Sequence, residues 1–308
     1  MRPAVTNLLS VAPLTMLILG ANIALYVVSA VQSGNLGEIS TSVLWDFGAS
    51  CRECLWEGEW LRLIAPIFLH GGLPHILLNS VSLWYLGPSA EVYFGTYNYG
   101  TLYVVSGIAG FCFSQIFGGN LAIGASCSLF GILGAALMAK VQACPVPLKA
   151  WRNSEVRALA YFLLFYLAIG FVGLLGNVDN WGHLGGLLAG VALGGLFELW
   201  RRRRHISYGL GITALLLCAA VVCAARWPVY NPYYHVHMAV VAEEDKRAVD
   251  AASEWKAAQD WAKTWGSERS VALLLAAHEA GIWTVQDART YGYRYILHYL
   301  HAPRYRVL

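Results

Sequence analysis

Apolar stretches of about 20 residues, each long enough to cross the roughly 30 Å hydrocarbon core of a bilayer as a helix, recur along the first three quarters of the chain. Seven spans are expected, near residues 10–31, 74–93, 98–117, 125–143, 156–176, 181–200 and 207–225. The chain therefore reads as an all-α, polytopic membrane protein. Composition agrees: 57% of the 308 residues are hydrophobic and only 13% are charged, where a soluble domain carries about a quarter charged residues. That balance excludes an ordinary cytoplasmic enzyme, a disordered chain and a disulfide-dense mini-protein. A net charge of +3 is too small to point to nucleic acid.

Basic residues give the direction of insertion. Arg2, Lys140, Lys149, Arg152, Arg157 and Arg201 to Arg204 all fall on one side if the N-terminus is cytoplasmic, leaving only Arg52 and Arg62 in the loops opposite. The excess on the cytoplasmic side fixes that orientation. The first span follows Arg2 and contains Val28-Ser29-Ala30, which is similar to a signal-peptide cleavage site, but its apolar run is long for a leader and reads as an uncleaved anchor. The expected organisation is a six-span core over 1–205, a seventh span within 206–227 and a tail at 228–308 carried to the outer side. The tail has nine basic and nine acidic residues and five of the nine histidines. Apolar positions at helical spacing over 238–265 and 268–281 make it a small helical appendage. His235 and His237 are too few to hold a metal and read as surface histidines. Of the seven cysteines, Cys112, Cys127, Cys144, Cys218 and Cys223 lie in or beside apolar runs and read as packing residues. Cys51 and Cys54 form a lone C-x-x-C pair in the first outer loop, equally open to a disulfide or to two free thiols.

Polar groups inside a span cost free energy unless paired, so they mark a functional site by default. Pro74 suits a first helical position, and His75 and Asn79 follow it on one face of the second span. Ser126 opens the fourth span within Gly124-Ala125-Ser126-Cys127, and His183 opens the sixth within Asn180-Trp181-Gly182-His183. Singly, each would be an interhelical packing bond; together they make a catalytic set. Gly182, Gly186, Gly190 and Gly194 repeat at every fourth residue of the sixth span, as do Cys127, Gly131, Ala135 and Ala139 of the fourth. Facing small-residue seams let helix backbones approach closely, and would set Ser126 and His183 at one depth near the outer surface, with Phe130 stacked on the imidazole. A serine becomes a nucleophile when a neighbouring base takes its proton, and the same base can protonate the leaving amine. The Ser126 N–H and the side chains of His75 and Asn79 are candidate donors to an oxyanion. Asp179 and Glu198 lie at span ends, so a dyad is expected rather than a triad.

These residues resemble the rhomboid intramembrane serine proteases. The run from Phe68 to Asn79, with His70, His75 and Asn79, is similar to that family's second-span motif; Gly124-Ala125-Ser126 with Phe130-Gly131 to its nucleophile motif; Gly182-His183-Leu184-Gly185-Gly186 to its histidine motif. Trp60-Leu61-Arg62 resembles an element of the family's membrane-embedded, partly helical first loop, and Glu91 and Gly95 fit the end of the second span. The resemblance covers about residues 10–200. It implies a six-helix core with a seventh helix as a variant, Ser126 as nucleophile, His183 as general base, and His75 and Asn79 as oxyanion donors, with His70, Gly124, Phe130, Gly182 and Gly186 in support. The implied substrates are single-pass membrane proteins cut near the outer face, within membrane lipid, with no cofactor and no metal. A bacterial inner membrane is the expected location, and oligomeric state is open. Leu61, Cys127 and Phe130 depart from the family's usual residues; Cys127 would crowd the scissile carbonyl and slow the reaction. The main competing reading is an inactive relative that binds transmembrane clients. A metal-dependent hydrolase using His70, His75 and His183 lacks H-E-x-x-H, and a transporter lacks an internal repeat.

Overall fold

Proline in the first turn and glycine at the C-terminal end delimit two of the long helices, Pro13–Ser33 and Leu73–Phe94. The computed structural model describes residues 10–118, 121–144, 147–172, 178–202 and 232–300. The long helices among them are α1 (Pro13–Ser33), α4 (Leu73–Phe94), α5 (Thr96–Phe113), α6 (Ser126–Ala143), α7 (Ser154–Val172) and α8 (Asn180–Arg202), with short helices α2 (Thr41–Asp46) and α3 (Arg52–Trp56) in the first loop. Four of them, α1, α5 with the π-turn that continues it to Gly118, α6 and α8, are long and apolar enough to cross a membrane. Helices α4 and α7, of 22 and 19 residues, stand at the expected second and fifth spans. In α4 the run is diluted by His75, Asn79 and Glu91. The expected span at 207–225 lies outside the described residues.

The chain divides into two units. In the first, one acidic side chain joins two helices. The first turn of a helix leaves backbone N–H groups without partners, and in α1 those of Leu14 and Thr15 donate to the Glu91 carboxylate of α4 at 3.1 and 2.8 Å. The Thr15 hydroxyl adds a third bond at 2.8 Å and Thr96 a fourth at 3.0 Å. A buried carboxylate (1% exposed) thus faces the positive end of a helix, where it is favoured.

The seams anticipated on the fourth and sixth spans do meet, as α6 and α8. A Cβ on Gly186 would overlap the Cys127 carbonyl, one on Gly190 the Gly131 backbone, and one on Gly194 that of Ala135. A third helix joins them: Gly110 of α5 packs against Cys127, Ser106 against Gly131, and Gly107 against Ser128. Ser128 donates its hydroxyl to the Tyr103 carbonyl at 2.6 Å.

The second unit combines residues 51–59 with the C-terminal helices, α9 (Pro232–Glu244), α10 (Ala248–Trp265), α11 (Glu268–Glu279), α12 (Val285–Tyr291) and α13 (Tyr293–Leu300). The stretch with helical spacing from 238 to 265 holds the end of one helix and the whole of a second. It breaks where Glu243, Glu244 and Asp245 crowd negative charge at a helix C-terminus, the end that favours cations, and Lys246 turns the chain at a φ of 60°. Cys51 and Cys54 are joined by a disulfide. Trp56 enters the core of this unit among Val236, Val240, Trp255 and Leu274. Burial pushes the Glu53 carboxyl up to about 7, with Arg52 pulling it down less strongly. Burial also opposes the charge on Glu57, but hydrogen bonds from His237 and Arg289 outweigh it and hold that carboxyl down at about 2.

Two expectations follow. Gly190→Leu forces side-chain volume into the Gly131 backbone, an overpacking cost of at least about 1–3 kcal/mol; Gly20→Leu on α1, with nothing near its Cβ position, is the control. The detergent melting temperature should fall in the first and stay near wild type in the second. Because the raised pKa of Glu53 means that the folded state holds a proton the unfolded state has lost, stability declines as pH rises from about 4.5 through 7. Glu53→Gln should remove that decline, making 232–300 more protected than wild type in hydrogen exchange at pH 8.5, by up to about 3 kcal/mol, with the difference shrinking as pH falls towards 4.5. The Glu57 contribution is lost only below pH 4.5 and does not overlap this window.

Candidate active site

Ser126 stands in the first turn of α6, half-buried and reachable, while His183 in the first turn of α8 is 3% exposed. Their side chains meet: Ser126 Oγ lies 2.8 Å from His183 Nε2. The approach of α6 and α8 sets this distance, since Gly182 packs against the Cys127 sulfur one residue beyond the serine and Gly186 against the Cys127 backbone. Phe130, one turn below Ser126, stacks on the imidazole with centroids 4.4 Å apart and planes within 10°. The ring therefore has one face fixed, which aims Nε2 at the hydroxyl.

Asp179 orients the histidine from the other direction. Its carboxylate accepts the Gly182 N–H at 2.9 Å and its carbonyl the His183 N–H at 3.0 Å, the bonding of a helix N-cap. It starts the helix that carries the histidine.

On the opposite side of the serine is His75. Its Nδ1 accepts the Gly71 N–H at 3.4 Å, so in the neutral ring the proton is on Nε2. Gly124 has a φ of +123°, and a Cβ there would lie 2.6 Å from His75 Nε2 and 3.7 Å from Ser126 Oγ. A side chain is barred on both counts, and its absence leaves a space between the imidazole N–H and the serine hydroxyl. Asn79, 5% exposed, lies one turn further along α4 and donates its amide to the His75 carbonyl at 3.1 Å. His70 is buried and meets the His75 ring edge to face at 5.0 Å.

The structure corrects two expectations. His237, read as a surface histidine, is fully buried, its ring nitrogens taken up by Glu57 and Tyr293. Cys127 does not crowd the space beside the serine: it is 2% exposed and its side chain fills the seam between Gly110 and Gly182, because consecutive helical residues point about 100° apart. In the first loop, Arg62 donates to the Trp45 and Ala49 carbonyls at 2.9 and 3.1 Å and lies 4.4 Å over the Trp45 ring. Sequence reading missed the strap before the nucleophile. Ser50 and Ala122 exchange backbone hydrogen bonds of 3.0 and 2.9 Å, Gln115 donates to the Ser50 carbonyl at 3.2 Å, and the Gly124 N–H reaches the Pro66 carbonyl at 2.8 Å. A two-residue pairing leaves no periodic trace in a sequence. The α5 seam, by contrast, was detectable from Ser106 and Gly110, which repeat the four-residue spacing of small residues on the other two helices.

Residues 57–201 match the Rhomboid domain family. This chain carries a rhomboid domain. It is 33% identical over 156 residues to Rhomboid protease GluP of Bacillus subtilis (strain 168), covering 51% of this chain and 30% of that protein. It is 38% identical over 158 residues to RHOMBOID-like protein 5 of Arabidopsis thaliana, covering 50% of each. With Rhomboid-like protease 1 of Toxoplasma gondii it shares 28% identity over 206 residues, 64% of this chain and 68% of that one. The chain thus spans half or less of the length of the first two relatives. With its apolar helices, the rhomboid domain makes this a multi-pass integral membrane protein.

Proposed function

We propose that this rhomboid is an intramembrane serine endopeptidase that cuts single-pass membrane proteins in or near their transmembrane segments. The observation that carries the reading is the 2.8 Å approach of Ser126 Oγ to His183 Nε2. In this scheme Ser126 Oγ attacks the scissile carbonyl carbon and its proton passes to His183 Nε2. Negative charge then develops on the carbonyl oxygen. The space left by Gly124 receives it, with the His75 Nε2–H, the Ser126 N–H at the start of α6 and the Asn79 amide as donors. Collapse breaks the C–N bond as His183 returns its proton to the leaving amine, leaving an ester on Ser126. Water attacks that ester with His183 again as base, releasing the carboxylic product and restoring the hydroxyl. No cofactor enters any step.

The basic loops support an N-terminus on the cytoplasmic side, with the serine, the histidine and the tail on the other. The chemistry requires only this orientation, whatever the kind of membrane.

Purified protein in liposomes, with a single-pass substrate carrying a Gly- and Ala-rich outer segment, should give cleavage that Ser126→Ala and His183→Ala each reduce more than about 10³-fold. His75→Ala should reduce kcat by about 10²–10³-fold, and a chelator should change nothing. A wild type that neither cleaves nor reacts with a fluorophosphonate probe would overturn the proposal in favour of a client-binding rhomboid. For orientation, Ser253→Cys in a background free of other thiols, at an exposed position of α10, should react with an impermeant thiol reagent in intact cells; labelling only after lysis would reverse the topology.

A further inference from the structure

The tail is more than an appendage. Segment 51–59 of the first loop is bound by the C-terminal helices as a ligand is bound, through an apolar anchor followed by a charged one. Trp56 is 5% exposed, edge-on to Tyr234 at 5.6 Å and tilted against His237 at 5.7 Å. The next residue, Glu57, accepts from Arg289 Nε at 2.7 Å and from Arg289 Nη2 on its other oxygen, so the pair is two-pronged. It also accepts from His237 Nε2 at 2.8 Å, and His237, fully buried, is held in turn by the Tyr293 hydroxyl at 3.0 Å on Nδ1. An aromatic residue seated in a core beside a fork of charge-assisted bonds is the usual make-up of a binding hot spot. The Cys51–Cys54 disulfide closes the segment just ahead of these anchors, which lowers the entropy lost on docking.

The flanks of the same segment lead to the nucleophile. Cys51 follows Ser50, which exchanges two backbone bonds with Ala122, four residues before Ser126. Beyond Glu59 the chain runs through Trp60–Leu63 to Pro66, whose carbonyl holds the Gly124 N–H. We infer that the C-terminal helices are a docking domain for the chain's own first loop, and that this docking, by ordering the residues next to Ser50, steadies the Ser50–Ala122 strap before α6. Arg289, Trp56 and Glu57 are positioning residues in this scheme, acting through the strap. The consequence for turnover rests on the protease reading; the docking does not.

The test is amide hydrogen exchange on the full-length protein in lipid nanodiscs, with cleavage assayed in parallel. Arg289→Ala should speed exchange across 52–57 by about 10-fold or more, the effect of losing roughly one charge-assisted fork. Ser50, Ala122 and Gly124 should accelerate with it, while helices α10 and α11 stay protected. Arg289→Lys, which keeps the charge but lacks the fork, should give an intermediate acceleration at the same amides, and it decides the matter if Arg289→Ala unfolds the tail. Unchanged exchange over 52–57 in both Arg289→Lys and Trp56→Ala would overturn the docking. Acceleration that stops at Cys51 would overturn the coupling to the strap. In the cleavage assay kcat should fall several-fold in Arg289→Ala. If wild type itself fails to cleave, the protease reading falls and the exchange result still decides the docking.

Discussion

Close contact between helix backbones along the α6–α8 seam is the constraint from which the site derives. Lipid offers no hydrophobic drive between helices, so association depends on dispersion contacts and on how near the backbones can come. Gly186 against the Cys127 carbonyl and Gly190 against Gly131 leave no room for a side chain. That register sets His183, one residue after Gly182, opposite Ser126, one residue before Cys127. A shift of one helical turn, about 5.4 Å, would separate the dyad entirely. Packing and chemistry are therefore specified by neighbouring residues on the same two faces.

Polar groups elsewhere in the helical core serve the same positional end. Glu91 ties the first turn of α1 to α4 through three hydrogen bonds, and the start of α5 through a fourth from Thr96, and so sets the helix that presents His75 and Asn79. Ser128 ties α6 to α5 through the Tyr103 carbonyl. Asp179 starts α8. Each satisfies backbone or side-chain groups whose burial without partners would cost a few kcal/mol, and the Glu91 and Ser128 bonds, which cross between helices, oppose sliding of one helix along another.

The parts legible from residues alone were those with period or spacing. Helical spans follow from apolar run length, and α4, α6 and α8 begin within one residue of the expected positions because Pro74 and the small-residue entries to the other two are local signals. The pairing of Ser126 with His183 followed from two four-residue repeats, and the stacking of Phe130 from its place one turn below the serine. What depended on irregular backbone was not legible. Cys127 drew suspicion because adjacency in sequence was taken for adjacency in space, whereas a helix turns consecutive side chains away from each other. The break at Lys246 needed the balance of three acidic residues against helical propensity. The Ser50–Ala122 strap and the partnership of Trp56 and Glu57 with residues some 180 to 230 positions later have no periodic signature at all.

Those long-range partners alter how the second unit is understood. A tail with balanced charge and several histidines looks, in sequence, like a solvated appendage whose surface is free to vary. In the structure two of its charged or titratable residues, His237 and Arg289, converge on one carboxylate from the first loop, and the burial of His237 leaves its two ring nitrogens committed to Glu57 and Tyr293. A partly buried carboxylate with a single fork would be expensive to hold; with a second donor on the same oxygen, the cost of desolvation is offset and geometry is selected. Such an arrangement is poorly suited to a passive surface and well suited to holding a loop in one place. The loop so held adjoins Ser50, whose backbone pairs with Ala122 ahead of the nucleophile, so the precision required at Ser126 has a source in residues that never touch it.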